Sequence, residues 1–231
     1  MSTQPLLHTL DAVLFDLDGT LLDTAPDLAN ALFTVCANQN VTPPEYSLIA
    51  QHVSTGAIGL TRLAFPEHPE EIQQSLCQQL VEIYSAHICE QTRPYPGITE
   101  MLSRLEDETI SWGVVTNKLE RLALPILEKL NLLTNCRVVV GGDTAARNKP
   151  HPDPINYALD KLGLAAESVA YVGDHRKDVQ SGQAAGTLTV ACSWGYIISN
   201  EDPNSWGADY TIDHPEELLT LLLTHDNPIN D

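Results

Sequence analysis

Short apolar runs and longer stretches of helical period take turns along this chain of 231 residues. Residues 12–15, 113–115, 137–140, 169–172 and 188–191 are brief, rich in β-branched side chains and free of polar alternation. A strand covered on both faces reads this way, whereas a strand with one wet face alternates apolar and polar positions. Between these runs, residues 98–105, 119–130, 154–162 and 178–185 repeat apolar side chains every three or four positions, which predicts helices with one buried stripe. Strands alternating with helices predict an α/β fold with a mainly parallel, doubly wound sheet.

One interval departs from that rhythm. Between the first apolar run and residue 91 nothing reads as a strand, while 27–39, 46–53, 59–65 and 70–89 read as helices. Pro43-Pro44, and Pro66 with Pro69, mark loops between them. A structureless loop of that length is uncommon inside a compact domain. The expectation is a helical subdomain, residues 22–92, inserted into a core made of residues 1–21 and 93–231. It would stand over the carboxyl end of the first strand.

Composition narrows the class. Hydrophobic residues make up 43 % of the chain, enough for a core, and 12 Lys and Arg face 31 Asp and Glu, a net charge of −19. A chain this acidic is a poor general binder of DNA, RNA or anionic membrane. An anionic substrate would need a metal or a few well-placed cations. Arg62 is the first Lys or Arg in the sequence, which argues against the early positive charge of export and transit signals. No apolar run approaches the ~18 residues of a membrane span. The five cysteines are scattered without a C-x-x-C pair, which argues against a disulfide framework or zinc site. A cytoplasmic protein, monomeric or homodimeric, with a small-molecule partner is expected.

In an open parallel sheet, ligands bind outside the carboxyl ends of the strands. The first run leads into Asp16-Leu17-Asp18-Gly19-Thr20 and the second into Thr116-Asn117-Lys118. The third leads to Gly141-Gly142-Asp143 and a loop ending in Lys149-Pro150, and the fourth to Gly173-Asp174, with Asp178 four residues on. Each cluster alone has an ordinary reading as a helix cap, a turn or a solvated charge. A calcium loop of the EF-hand kind would place its glycine sixth, whereas Gly19 is fourth. Together, in order and at the same ends of four strands, they point to one site.

Asp16, Asp18, Asp174 and Asp178 would crowd negative charge, which a hard divalent cation such as Mg²⁺ relieves through oxygen ligands. Lys149 would give a compact charge to one phosphate oxygen, and Thr116 or Asn117 a hydrogen bond to another. These parts suit hydrolysis of a phosphate monoester. Asp16 would be the nucleophile that forms an aspartyl phosphate. Asp18 would protonate the leaving alcohol and then deprotonate water.

At these residues the chain resembles the haloacid dehalogenase (HAD) superfamily of phosphatases, whose four motifs match Asp16-Leu-Asp18-Gly-Thr, Thr116-Asn117, Lys149-Pro150 and Gly173-Asp174-x-x-x-Asp178. The resemblance implies a Rossmann-like core. It also implies Mg²⁺ held by Asp16, the Asp18 main-chain carbonyl and Asp174, with Asp178 supporting the metal from further out, and an insertion acting as a cap. A mainly helical cap of this size is similar to the phosphoglycolate phosphatase branch. Within that branch, the segments Trp112-Gly-Val-Val-Thr-Asn-Lys, Thr92-Arg-Pro-Tyr and the tail from Gly195-Tyr-Ile to Trp206-Gly-Ala-Asp resemble phosphatases of N-acetylmuramic acid 6-phosphate, which serve peptidoglycan recycling. Lys149-Pro-His-Pro-Asp-Pro sits nearer the ordinary phosphoglycolate phosphatases, so both substrates stay open. So do a sugar phosphomutase or phosphotransferase on the same fold and a catalytically silent binding protein.

Both substrates carry a carboxylate beside the phosphate. Arg62, the one Lys or Arg of residues 22–92, and Arg93 at the return to the core are the candidates to meet it. The competing reading makes Arg62 a helix-surface charge balancing Glu67 or Glu70. His175-Arg176-Lys177, between the two acids of the fourth motif, reads as charge that eases phosphate approach or, as the favoured reading, as a solvated helix start. Trp194 and Trp206 read as pocket walls or as core.

Overall fold

The computed structural model describes residues 10–223. In chain order the strands are β1 (Ala12–Phe15), β2 (Leu22–Asp23), β3 (Arg93–Pro94), β4 (Ser111–Val115), β5 (Val139–Val140), β6 (Val169–Gly173), β7 (Leu188–Cys192) and β8 (Tyr210–Ile212). Six of them form one sheet in the order β5-β4-β1-β6-β7-β8, and each pairing in it is parallel. The chain leaves β1 for β4 and β5 on one side, then crosses back to β6, β7 and β8 on the other. The order therefore reverses beside β1, where an open α/β sheet leaves a crevice.

The period of two along the strands sorts their side chains onto two buried faces. Val13, Phe15, Val114 and Val172 pack with Ile98, Met101, Leu102 and Leu105 of α5 (Ile98–Asp107) and with Leu122 and Ile126 of α6 (Glu120–Lys129). Ala12, Leu14, Val115 and Tyr171 pack on the opposite face with Ile155, Ala158 and Leu159 of α7 (Asp153–Leu162). Cover on both faces is why these strands read as unbroken apolar runs.

Four helices fill the insertion: α1 (Ala25–Asn38), α2 (Tyr46–His52), α3 (Gly56–Ala64) and α4 (Glu70–Ala86), with a single 3-10 turn at Val53–Thr55. Leu28, Leu32, Val35 and Cys36 of α1 meet Ile49, Leu60, Leu76 and Leu80 in one buried cluster. That cluster continues through Leu17 and Leu21 into the core of the sheet domain. The two crossings between sheet and insertion lie side by side, because β2 and β3 pair antiparallel, Leu22 opposite Pro94 and Asp23 opposite Arg93. Asp27, buried in the first turn of α1, fastens them: its carboxylate accepts from the Gln91 and Thr92 amides at 2.8 and 2.9 Å and from the Thr92 hydroxyl at 2.6 Å.

Three elements were not expected from the pattern. The β2–β3 ribbon and the half-buried edge strand β8 are too short to show a period. Helix α9 (Pro215–Leu223), which packs on α5, spans Leu218-Leu219-Thr220-Leu221-Leu222-Leu223, where leucines crowd together without a clear helical stripe. No helix among the described residues is long and apolar enough to cross a membrane.

Candidate active site

The first strand delivers Asp16 to the sheet edge and holds it there through the backbone, the Asp16 amide donating to the Val172 carbonyl at 2.9 Å. The chain then turns sharply, with Gly19 at φ +85. A side chain at Gly19 would run into the Asp174 carboxylate, as would one at Gly195. Two glycines thus let the backbone close around Asp174, besides the positive φ that one of them needs.

Asp16, Asp174 and Asp178 present carboxylate oxygens that lie within 4.8 Å of one another, and all three residues are buried. One cation answers them. Lys149, whose side chain is 0 % exposed, reaches Asp178 Oδ1 at 2.7 Å and Asp16 Oδ1 at 3.0 Å. It also donates to the Tyr171 hydroxyl and the Val115 carbonyl at 2.8 and 3.1 Å. Burial opposes charge on Lys149, but Asp16 and Asp178 outweigh it and hold the amine above its ordinary range. Burial likewise raises Asp16, yet Lys149 and then Lys177 bring it below the ordinary carboxylate value. Asp178 is raised by its burial in spite of Lys149. Asp174, without a cation of its own, is pushed up to about 7 by burial and by the charges of Asp16 and Asp178. Its oxygens accept from the Thr20 hydroxyl and the Tyr196 amide. Three buried carboxylates against one amine leave negative charge uncompensated, and an all-oxygen donor set of this size suits a hard divalent cation.

Asp18 stands apart from that cluster. Its Oδ1 accepts from the Thr24 hydroxyl at 2.5 Å and from Lys118 Nζ at 2.8 Å. Lys118 is nearly buried, and Asp18 and Tyr84 hold it charged against the opposing effect of burial. Thr116 is buried beyond β4, and its hydroxyl oxygen accepts from the Lys118 amide. The Asn117 side chain donates to the Lys149 carbonyl and accepts from the Lys149 amide, both at 3.1 Å. Thr116 or Asn117 was expected to donate to phosphate. Both border the cleft, and the Asn117 amide also secures the loop that carries Lys149.

Over Asp16 and Asp18 opens a cleft of about 350 Å³. Its sheet-edge wall includes Asp16, Asp18, Thr116, Asn117, Lys118 and Lys177, and its insertion wall includes Leu28, Val53, Ser54, Ile58, Leu80 and Tyr84.

The model of the haloacid dehalogenase-like hydrolases matches residues 13–192. The chain belongs to this family. The N-acetylmuramic acid 6-phosphate phosphatase of Pseudomonas aeruginosa is 40 % identical over 216 residues, 92 % of this chain and 95 % of that protein. The phosphoglycolate phosphatase of Xanthomonas campestris is 39 % identical over 207 residues, 90 % of this chain and 94 % of that one. The crystal structure of a predicted phosphoglycolate phosphatase from Haemophilus somnus matches with a TM-score of 0.84 at 27 % identity, over 92 % of this chain and 97 % of that one.

The four family motifs meet at one sheet edge, but the expected substrate cations do not reach it. Arg62 is exposed and lies 3.5 Å from Glu70, the surface pairing that competed with a substrate role. Arg93 turns back on the Thr92 and Glu90 carbonyls. Neither borders the cleft. Two lysines do: Lys118, named with the second motif but given no role, and Lys177, whose run was read chiefly as solvated. Lys118 follows the second motif directly, a position that could have flagged it. Lys177 belongs to the supposed solvated helix start, yet its amine donates to the Ser54 carbonyl of the insertion at 2.5 Å. His175 caps that helix, α8 (Arg176–Ala185), jointly with Asp178. Trp194 is no wall of the cleft: its indole N–H donates to the Thr20 carbonyl, while Trp206 packs with Val179 and Ala191.

Proposed function

We propose that this phosphoric monoester hydrolase acts on a phosphorylated amino sugar, N-acetylmuramic acid 6-phosphate, by way of an aspartyl phosphate on Asp16. The observation that carries the substrate class is the cleft. Its volume of about 350 Å³ lies in the ~300–1,000 Å³ range of small-molecule sites. Its insertion wall is apolar with a few hydroxyls, as a sugar ring demands. Glycolate would fill little of it. The relative named for the amino-sugar phosphate supports the same reading. The relatives named phosphoglycolate phosphatase, similar over nine-tenths of the chain, support phosphoglycolate as the second reading.

Asp16 is placed for attack because each of its hydrogen bonds and ion pairs among the described residues uses Oδ1, which leaves Oδ2 for phosphorus. The Asp16 oxygen forms a bond to phosphorus as the bond to the leaving oxygen breaks, and Asp18 supplies the proton that the departing alcohol takes. Water then attacks the phosphorus of the aspartyl phosphate and loses its proton to Asp18. The Asp16–phosphorus bond breaks, returning the carboxylate and inorganic phosphate. Lys149 keeps Asp16 ionised and oriented, and Lys177 adds positive charge at the cleft. Mg²⁺, held by Asp16 and Asp174 with Asp178 in support, would add electrostatic stabilisation of the phosphoryl oxygens when bound.

Steady-state kinetics on a panel of phosphate monoesters with Mg²⁺ decide the substrate. N-acetylmuramic acid 6-phosphate should show a kcat/KM well above that of phosphoglycolate. The reverse order would replace the first reading by the second. Chelation should abolish turnover and Mg²⁺ restore it.

A further inference from the structure

Among the described residues, the buried side-chain polar atoms without a hydrogen-bond partner are two hydroxyls, Ser54 Oγ and Tyr84 OH. Buried polar groups are paired in the great majority of cases, so each exception needs a reason. These two share one. Both belong to the insertion, although they are thirty residues apart in sequence, and both line the cleft over Asp16 and Asp18. Tyr84 sits on α4 and is 1 % exposed. Lys118 Nζ lies over its ring, 4.7 Å from the centre, and interacts electrostatically with the hydroxyl, which has no hydrogen bond of good geometry. Burial, with the charge of Asp18 adding to it, pushes the phenol up to about 12 in spite of Lys118. At neutral pH it is an intact hydroxyl, able to donate and accept.

Ser54 lies in the 3-10 turn between α2 and α3. Its carbonyl is held by Lys177 across the cleft, which fixes the turn against the sheet edge. The neighbouring Thr55 hydroxyl already donates to the His52 carbonyl. The cations near the cleft have partners too: Lys118 has Asp18 and Lys177 has the Ser54 carbonyl. What the insertion offers a ligand is therefore two neutral hydroxyls set among Val53, Ile58 and Leu80.

We propose that Tyr84 and Ser54 are the specificity-determining residues of the insertion, hydrogen-bonding neutral hydroxyl or amide groups of a sugar-like leaving group whose apolar face rests on Val53 and Leu80. The inference rests on the phosphosugar reading given above and adds the residues that select the sugar. A site built to bond a hydroxyl discriminates strongly against ligands that lack it, because its own polar groups then stay unpaired.

The test compares Tyr84→Phe and Ser54→Ala with the unmutated enzyme on N-acetylmuramic acid 6-phosphate and on p-nitrophenyl phosphate, whose leaving group carries no hydroxyl or amide. The ratio of the two kcat/KM values should drop by about tenfold for each lost hydroxyl, the size of one ordinary hydrogen bond. Thermal stability should hold or rise, since an unpartnered hydroxyl contributes nothing to folding. An unchanged ratio in both variants would overturn the assignment, as would a Tyr84→Phe protein that melts markedly lower. If the unmutated enzyme prefers phosphoglycolate, the substrate reading fails first and takes this inference with it. If it prefers the amino-sugar phosphate and the variants keep that preference, this inference alone fails.

Discussion

The two walls of the cleft are built on opposite principles. On the sheet edge, Lys149 has four partners, Asp178 is bonded through both oxygens and Asp174 through both of its own. On the insertion side, the lining is largely apolar and the Ser54 and Tyr84 hydroxyls have no hydrogen bond of good geometry. A preorganised set of charges can act on a phosphoryl group whatever the group is attached to, because it needs no rearrangement when negative charge develops. Recognition of the remainder of the substrate works the other way and leaves bonds to be made by the ligand. On the proposed reading chemistry belongs to one wall and selectivity to the other, so changes on the first should strike every substrate alike.

The largest effect should come from Asp16→Asn. An amide can still accept from Leu17 and Lys149 but cannot accept a phosphoryl group, so turnover should fall about 10⁴-fold or more on p-nitrophenyl phosphate and on the sugar phosphate equally. Near-normal rates would remove the covalent step. Lys149→Met comes next. It leaves Asp16 and Asp178 buried beside Asp174 without their cation, and losing one partner of a buried pair costs about 3–5 kcal/mol. Urea unfolding of the metal-free protein should show that loss, and activity should fall on every substrate.

A smaller, pH-dependent effect belongs to Asp174. Its value of about 7 in the fold lies above the ordinary ~3.9 of an unfolded chain. A group raised by folding adds stability that is complete below its unfolded value and is lost as pH rises through its folded one. Metal-free protein should therefore lose stability between about pH 4 and pH 7, by up to about 1.4 kcal/mol per pH unit from this group. Asp174→Asn should flatten that slope in thermal melts, and Mg²⁺ should restore stability at the upper end for the unmutated protein only. The smallest effect, and the one that tests where the walls meet, is Lys177→Met. Loss of the tie to the Ser54 carbonyl should cost about 1 kcal/mol in kcat/KM for the sugar phosphate. The fall should be smaller for p-nitrophenyl phosphate, measured side by side.

Much of the fold was legible because burial on both faces writes itself into a strand. β1, β4, β6 and β7 are largely apolar on both faces, and their ends were found to within two residues. β8 was not legible: it is a three-residue edge strand whose Tyr and Thr are half-buried. The acids and the amine of the strand ends were legible because parallel topology sends all strand ends to the same edge. The pairings Lys118–Asp18 and Lys177–Ser54 were not, since they join residues 100 and 123 positions apart. No local pattern carries the information that a surface-like lysine faces a partner on another element. Arg62 lies outside the cleft and pairs with Glu70, as the surface reading expected, and Arg93 lies outside it too, because a scarce charge type says nothing of where the fold puts it.

The sequence by itself therefore determined the alternation of strands and helices, the helical insertion and the order of the four motifs, because local hydrophobic period and strand-end position depend on neighbouring residues alone. Only the tertiary structure decided that Lys149 binds two carboxylates at once, that Asn117 serves the Lys149 backbone, and that two cleft-lining residues of the insertion carry buried hydroxyls without a hydrogen-bond partner. Those facts depend on distances between segments far apart in the chain, and such distances exist only once the sheet has been assembled and the insertion laid over it.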